Sequence, residues 1–153
     1  MKLIRANVDD TEQIWKMQLE SFQSLLDEYQ DYHTSPANEN IELVRRRLEQ
    51  PFTYYYFVSE EETIVGAVRV VDKKGGERKR ISPIFILPQY RGRGIAQKAI
   101  KVAEQLHGSE HWFLETILEE AGNCYLYEKM GYVRNGEERR VNDKMTLVDY
   151  IKG

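Results

Sequence analysis

Cysteine is the first scarcity in this 153-residue chain: there is one, Cys124. A lone thiol closes no internal disulfide, so packing and hydrogen bonds must hold the fold, and a reducing cytoplasmic setting is expected. Long apolar runs are missing too. None exceeds five residues, the length of Ile64 to Val68, against the ~20 that a membrane-crossing helix needs. The opening Met1-Lys2-Leu3-Ile4-Arg5 has no apolar stretch of signal-peptide length, which again predicts a cytoplasmic protein without a membrane partner. Positive charge is not in excess. Lys and Arg total 22 and Asp and Glu 25, a formal net charge of −3, whereas a general nucleic-acid binder needs a basic surplus to neutralise phosphates. Three scattered histidines and one cysteine give no metal-ligand spacing.

Linkers and repeats are lacking as well, so residues 1–153 are read as a single domain. What is present is ordinary for a globular chain: 41% hydrophobic and 31% charged residues. At this length roughly two-thirds of the unfolded surface is buried on folding, enough for a real core. Lys2 to Asn7 reads as a strand. Asp10 and Gln13 have capping-box spacing ahead of a first helix carrying Ile14, Met17, Phe22 and Leu25. Polar residues from Glu28 to Tyr32 interrupt it. A second helix, about Asn38 to Gln50, places Ile41, Val44 and Leu48 on one face and stops at Pro51. The period then changes. Thr53–Val58, Thr63–Val70 and Arg80–Leu87 are rich in aromatic and β-branched residues and predict an antiparallel meander. A helix (Gly94–His107), a strand (Trp112–Thr116), a helix (Ala121–Met130, with Gly131 as its C′ glycine) and two strands complete the chain. The closing turn falls near Asn135-Gly136 or Asn142-Asp143. The expected class is α/β: a mixed, mostly antiparallel sheet of about seven strands flanked by about four helices.

The sharpest motif is Pro88-Gln-Tyr-Arg-Gly92-Arg-Gly94-Ile-Ala96, after the strand Ile84–Leu87 and ahead of a helix with Ile95, Ala99, Val102, Ala103 and Leu106 on one stripe. A glycine-containing turn from strand into helix leaves backbone N–H groups without helical partners at the positive end of the dipole. That is an anion site. At Gly92 and Gly94 a Cβ would keep a diphosphate off the backbone, and Arg91 and Arg93 add charge for phosphate oxygens. Two common phosphate loops do not fit. No Lys-Ser or Lys-Thr follows, as a P-loop needs, and Gln97 stands where a dinucleotide fingerprint has its third glycine.

The segment does resemble motif A of the GNAT superfamily of N-acetyltransferases, Gln/Arg-x-x-Gly-x-Gly/Ala after a strand, with Gln89, Gly92, Gly94 and the small Ala96 in place. Asn123-Cys-Tyr-Leu-Tyr127-Glu-Lys-Met-Gly131-Tyr132 resembles the family's motif B, a helix ending in Tyr-Glu-Lys-x-Gly-aromatic. Many members carry the motif's asparagine where this chain has Glu120; Asn123 instead lies one turn before Tyr127, on the same helix face. The order of elements also matches the family along nearly the whole chain.

The resemblance implies a splay between the two central parallel strands, here Arg80–Leu87 and Trp112–Thr116, that admits acetyl-CoA as co-substrate. It implies that Phe85 and Ile86 pair with the pantetheine amides, that the diphosphate meets the amides of Arg91, Gly92, Arg93, Gly94, Ile95 and Ala96, and that Asn123 of motif B also binds the co-substrate. It implies direct attack on the thioester by a small-molecule or peptide amine, with Tyr127 serving the leaving thiolate. Glu115, alternating with Phe113 on one strand face, is the leading candidate base; Glu77, Glu28 and Asp31 are others. Lys98, Lys101 and Lys129 are candidates for the 3′-phosphate. A Cys124–histidine nucleophile pair has no spatial support in the sequence. The runs Arg45–Arg47 and Arg78–Arg80 read as solvated faces. Acyl transfer to a non-amine acceptor and a non-catalytic CoA sensor remain alternatives, and the chain is expected to be a monomer or homodimer.

Overall fold

The computed structural model describes residues 1–153. Seven strands form one sheet: β1 (Lys2–Arg5), β2 (Thr53–Glu60), β3 (Thr63–Val71), β4 (Lys79–Ile86), β5 (Trp112–Ile117), β6 (Val133–Asn142) and β7 (Met145–Lys152). Their spatial order is β1-β2-β3-β4-β5-β7-β6. Every neighbouring pair is antiparallel except β4–β5, which is parallel. Four helices accompany them: α1 (Thr11–Tyr29), α2 (Ile41–Glu49), α3 (Ile95–His107) and α4 (Ala121–Lys129). The mixed, mostly antiparallel sheet expected from the sequence is the one observed.

Both faces of the sheet are covered, which explains why the central strands are apolar on both sides. Along β2, Tyr55 and Phe57 join Ile14, Met17 and Val44 of α1 and α2 in one core. The intervening Tyr56 and Val58 join Ile95, Ala99, Ile100 and Ala103 of α3, and Tyr127 of α4, in the other. A two-residue side-chain period thus feeds two cores from one strand. Trp112, Leu114, Val148 and Tyr150 extend the second core across β5 and β7.

One local detail differs from the sequence expectation, and another resolves its two alternatives. The capping box lies three residues earlier: Asn7 accepts from the Asp9 amide at 2.9 Å, and the Asp10 carboxylate accepts from the Asn7 amide at 2.9 Å. Asp10 is spent on that reciprocal pair and makes no cap bond to α1. The closing hairpin turns at Asn142–Met145, where Asn142 Oδ1 accepts from the Lys144 amide at 2.8 Å. Asn135-Gly136 lies inside β6, in a shift of register between Arg134 and Glu138, where a bulge takes up the extra residues.

The parallel contact is short. β4 and β5 pair only at Lys79↔Trp112 and Arg80↔Phe113, then part. The divergence begins at a second irregularity: Val68 faces Ile84 while Val70 faces Ile81, so two β4 residues, Ser82 and Pro83, stand opposite one β3 residue. A bulge bends the strand that carries it, and Pro83 has no N–H to offer a neighbour. β5 meanwhile pairs with β7 at six positions, from Trp112 to Ile117. The two strands are therefore held from their outer sides and separate at the inner one.

Gly66 of β3, opposite Ile86, tests how tightly this centre is built. A Cβ there would overlap the Phe85 carbonyl oxygen of the neighbouring strand. Gly→Ala in a strand is ordinarily stabilising, but backbone overlap reverses the sign. Gly66→Ala should lower the unfolding free energy by about 1–3 kcal/mol, read as a fall in the urea midpoint; an unchanged or raised midpoint contradicts this packing.

Candidate active site

After β4 the chain makes a short 3-10 turn, Pro88–Tyr90, crosses Arg91–Gly94 and enters α3. Gly92 (φ +77°) and Gly94 (φ +72°) take the left-handed backbone that favours glycine, and no atom lies within 4 Å of a Cβ placed at either. The glycines thus keep an open concave surface. The Arg91 amide bonds the Pro88 carbonyl at 3.3 Å, and the first helical bond is Lys98 N–H to Gly94 C=O at 3.2 Å. Between them, the amides of Gly92, Arg93, Gly94, Ile95, Ala96 and Gln97 find no acceptor within the chain. Six consecutive free donors at a helix N-terminus form a cradle for an anion. Arg93 is exposed beside it, its guanidinium 5.6 Å from the Tyr90 ring.

Arg91 does something else. Its Nε donates to the Ile86 carbonyl at 2.9 Å and its Nη2 donates to the Ser21 carbonyl of α1. The side chain expected to meet phosphate instead straps α1 to the end of β4. Its position in the turn was legible, but its two distant acceptors were not.

Two adjoining cavities occupy the splay. The smaller, of about 250 Å³, runs along Ile84–Ile86 from Arg91 and Ala96 to α4. The larger, of about 300 Å³, lies between the diverging halves of β4 and β5, beneath α1 and the α1–α2 connection. Phe22, Leu25, Ile84, Asn123 and Tyr127 line both. The open edge of β4 can be read from one bond: the Leu87 amide donates to the Val65 carbonyl at 2.8 Å. In an antiparallel pair that parity repeats every second residue, so Phe85 spends its peptide on Ala67 while Ile84 and Ile86 face the splay. Phe85 is therefore a correction: its ring packs edge-on to Phe22 at 5.8 Å in the α1–α2 core, and its backbone is committed to β3. Ile86 keeps its place on the open edge, although its carbonyl already accepts from Arg91.

Tyr127 stands where the two cavities meet. It is 8% exposed, packed against Tyr132 and Tyr150 with ring centroids 6.1 and 6.2 Å away. Its hydroxyl has no hydrogen-bond partner in the chain. Burial, with a smaller contribution from the neighbouring Cys124 thiol, pushes the phenol up to about 12, so at neutral pH it carries its proton and can donate it to a hydrogen bond. Asn123 is one turn earlier on the same side.

The sequence profile of the Acetyltransferase (GNAT) family matches residues 12–132. The chain belongs to the GNAT acetyltransferase family. No curated protein matches it by sequence. Among solved structures it is similar to the spermidine N-acetyltransferase of Vibrio cholerae in complex with CoA and spermine, at 17% identity, TM-score 0.75, covering 97% of this chain and 92% of that one. The PaiA N-acetyltransferase of Thermoplasma acidophilum in complex with coenzyme A is similar over 99% of this chain and 98% of its own, at 12% identity and TM-score 0.73. A putative streptothricin acetyltransferase from Bacillus anthracis, in complex with acetyl coenzyme A, covers 71% of this chain and 66% of its own, at 21% identity and TM-score 0.58. At these identities the likeness is one of fold. No helix of this GNAT chain is long and apolar enough to cross a membrane.

The charged groups around the larger cavity of this GNAT domain pair in ways its sequence does not announce. Glu115 lies on the wall, but Arg139 of β6 donates to it, and Arg139 also forks onto Asp149 at 2.6 and 3.1 Å. Its carboxylate is therefore already engaged. Asp31 is buried on the wall, with Oδ2 accepting from Thr34 Oγ1 at 2.8 Å. Glu28 and Glu77 are exposed and line neither cavity. Glu120 lines the smaller one and accepts from Tyr29 Oη at 2.6 Å. None of the three histidines touches Cys124, whose Sγ lies 3.7 Å from the Ile117 carbonyl. His107 bonds Tyr56 Oη at 2.8 Å and His111 the Gly76 carbonyl at 2.9 Å. Arg47 and Arg80 are the residues missed: both line the larger cavity. Helical spacing offered one signal, since Arg47 follows the buried Val44 by three positions.

The raised phenol has a measurable consequence. From about pH 10 the unfolded chain's Tyr127 gives up its proton while the folded one holds it up to about 12. Its contribution to stability is thus complete below pH 10 and lost as pH rises through that window. Thermal melts at pH 9, 10 and 11 should show a shallower alkaline decline for Tyr127→Phe than for the parent; identical slopes would place the phenol in water.

Proposed function

We propose that this chain transfers an acetyl group from acetyl-CoA to an amine acceptor by direct attack. The observation that carries the reading is the unpartnered Tyr127 hydroxyl at the junction of two cavities, one leading to the amide cradle and the other to the α1–α2 roof. The residues fit the co-substrate. The free amides from Gly92 to Gln97 suit a diphosphate, with Arg93 beside them, and the Ile84 and Ile86 edge of β4 suits the pantetheine amides as an added strand. Acetyl-CoA supplies a thioester, an acyl group on a sulfur leaving group.

The amine nitrogen uses its lone pair to form a bond to the acetyl carbonyl carbon, and the carbon–sulfur bond breaks with its pair going to sulfur. An N–H of the open β4 edge answers the charge that builds on the carbonyl oxygen. Tyr127 donates a hydrogen bond to the leaving sulfur. A thiol near 8.5 and a phenol at about 12 differ by roughly 5 kcal/mol in proton affinity, so Tyr127 stabilises the thiolate rather than surrendering its proton to it. An acceptor that arrives as ammonium gives up one proton to solvent before its nitrogen attacks; the bonded nitrogen sheds a second through the open mouth, and sulfur is protonated from there. Glu115, held by Arg139, presents its carboxylate on the wall to an incoming ammonium group. Asn123 borders both partners' cavities and is assigned to positioning.

Two variants separate the roles. Tyr127→Phe should reduce kcat about 10- to 100-fold while the acetyl-CoA Kd from calorimetry moves less than about twofold. Gly92→Val should do the reverse and raise that Kd by at least about tenfold, because the side chain intrudes on the cradle. Thiol release across a panel of amines is the assay. Absent acetyl-CoA binding would sink the proposal; tight binding with no accepting amine would support a sensor.

A further inference from the structure

Resting on the reading of the larger cavity as the acceptor site, we infer that the acceptor carries an anionic group, a carboxylate, in addition to its amine, and that Arg80 receives it. Arg80 lines the cavity. Its guanidinium lies over the Phe113 ring at 5.3 Å; no hydrogen-bond acceptor or carboxylate of the chain engages it.

Arg80 does not stand alone. Arg47 also lines the cavity and is matched by Glu39, which takes both guanidinium nitrogens at 2.8 and 3.0 Å. Directly behind lies Arg69, which donates to the Ser82 carbonyl at 2.7 Å and keeps a buried Nε without a partner. Burial, with Arg47 and Arg80 nearby, pulls Arg69 down to about 10, still cationic at neutral pH. Beside Arg47 and Arg69, Tyr55 is 1% exposed and its hydroxyl is also unpartnered. Three guanidiniums therefore share one carboxylate, and two buried donors nearby have no acceptor. Across the splay the balance reverses, where Glu115 and Asp149 share Arg139; overhead, in the α1–α2 connection, Asp31 has no cation within ion-pair distance.

The polarity runs along the strand. Tyr127 and Ile84 mark where the thioester is proposed to sit. Arg80 is four residues back toward the closed end of the splay, but the bulge compresses these to three steps of β3, from Val68 to Val71, roughly 10 Å at the usual strand rise, and the arginine side chain spans part of that. An acceptor with its amine at the junction therefore extends its far end toward the arginine side. A polyamine would bring further ammonium groups toward Arg80, with Arg69 behind it, a like-charge approach. A carboxylate there gains a charge-assisted, bidentate partner.

Matched acceptors test this: a series of ω-amino acids and their carboxamides, together with spermidine, assayed by thiol release with saturating acetyl-CoA. The acids should exceed their carboxamides about 10- to 100-fold in kcat/KM, and both should exceed spermidine. Arg80→Gln should collapse the acid-to-amide ratio toward one, and Arg80→Lys should restore much of it. Calorimetry with acetyl-CoA verifies that each variant is folded. Carboxamides or spermidine equal to or better than the acids, or a ratio that survives in Arg80→Gln, would overturn the inference while leaving amine acetylation intact. Transfer to no amine at all overturns the acetyltransferase reading and this inference with it.

Discussion

Two residue pairs decide the character of this molecule. β4 and β5 hold together at Lys79↔Trp112 and Arg80↔Phe113 and nowhere beyond. A parallel ladder that continued would satisfy the backbone of both strands and leave no room for a ligand. The bulge at Ser82-Pro83 and the full antiparallel partner on the far side of β5 prevent it. The unpaired edge that results is costly unless something with donors and acceptors fills it, and both cavities lie along it. Sheet geometry thus creates the site before any side chain is considered.

The surrounding layers keep that gap from collapsing. α1 and α2 seal one face through Ile14, Met17 and Val44, while α3 and the end of α4 seal the other. The Arg91 strap from Ser21 to Ile86 fixes the helical roof relative to the β4 edge using carbonyls alone. Ion pairs do the same around the larger cavity, Arg47 with Glu39 on one side and Arg139 with Glu115 and Asp149 on the other. One joins α2 to the α1–α2 connection and the other ties β6 to β5 and β7, so charge helps to shape the rim of the cavity.

Local patterns in the sequence carried the parts of this that depend on neighbours in the chain. The glycine turn and its free amides are a matter of a few consecutive residues, and Tyr127 with Asn123 is a matter of helical period. The meander was visible because β2 and β3 are apolar on both faces. What escaped depended on partners far apart in the chain. The parity that turns Phe85 toward β3 and Ile86 toward the splay is set by the Leu87–Val65 bond, and no pattern within β4 reveals it. Glu115 looked like a free base because Arg139, in another hairpin strand, is invisible from its surroundings. Arg47, Arg69 and Arg80 come from three elements, and two of them lie in charge runs that ordinarily face water.

β6 is the counterpart of the inner edge. It is the outermost strand beside β7, almost wholly exposed over its ten residues, and broken by the Asn135-Gly136 shift of register. Glu137, Glu138, Arg139 and Arg140 crowd it with charges of both signs. The opposite outer strand, β1, is only four residues long. Bulges, charges and brevity are the devices that discourage sheets from joining edge to edge. A protein that keeps one unpaired ladder in its interior thus presents outer ladders that are poor templates, which disfavours edge-to-edge joining between molecules at high concentration.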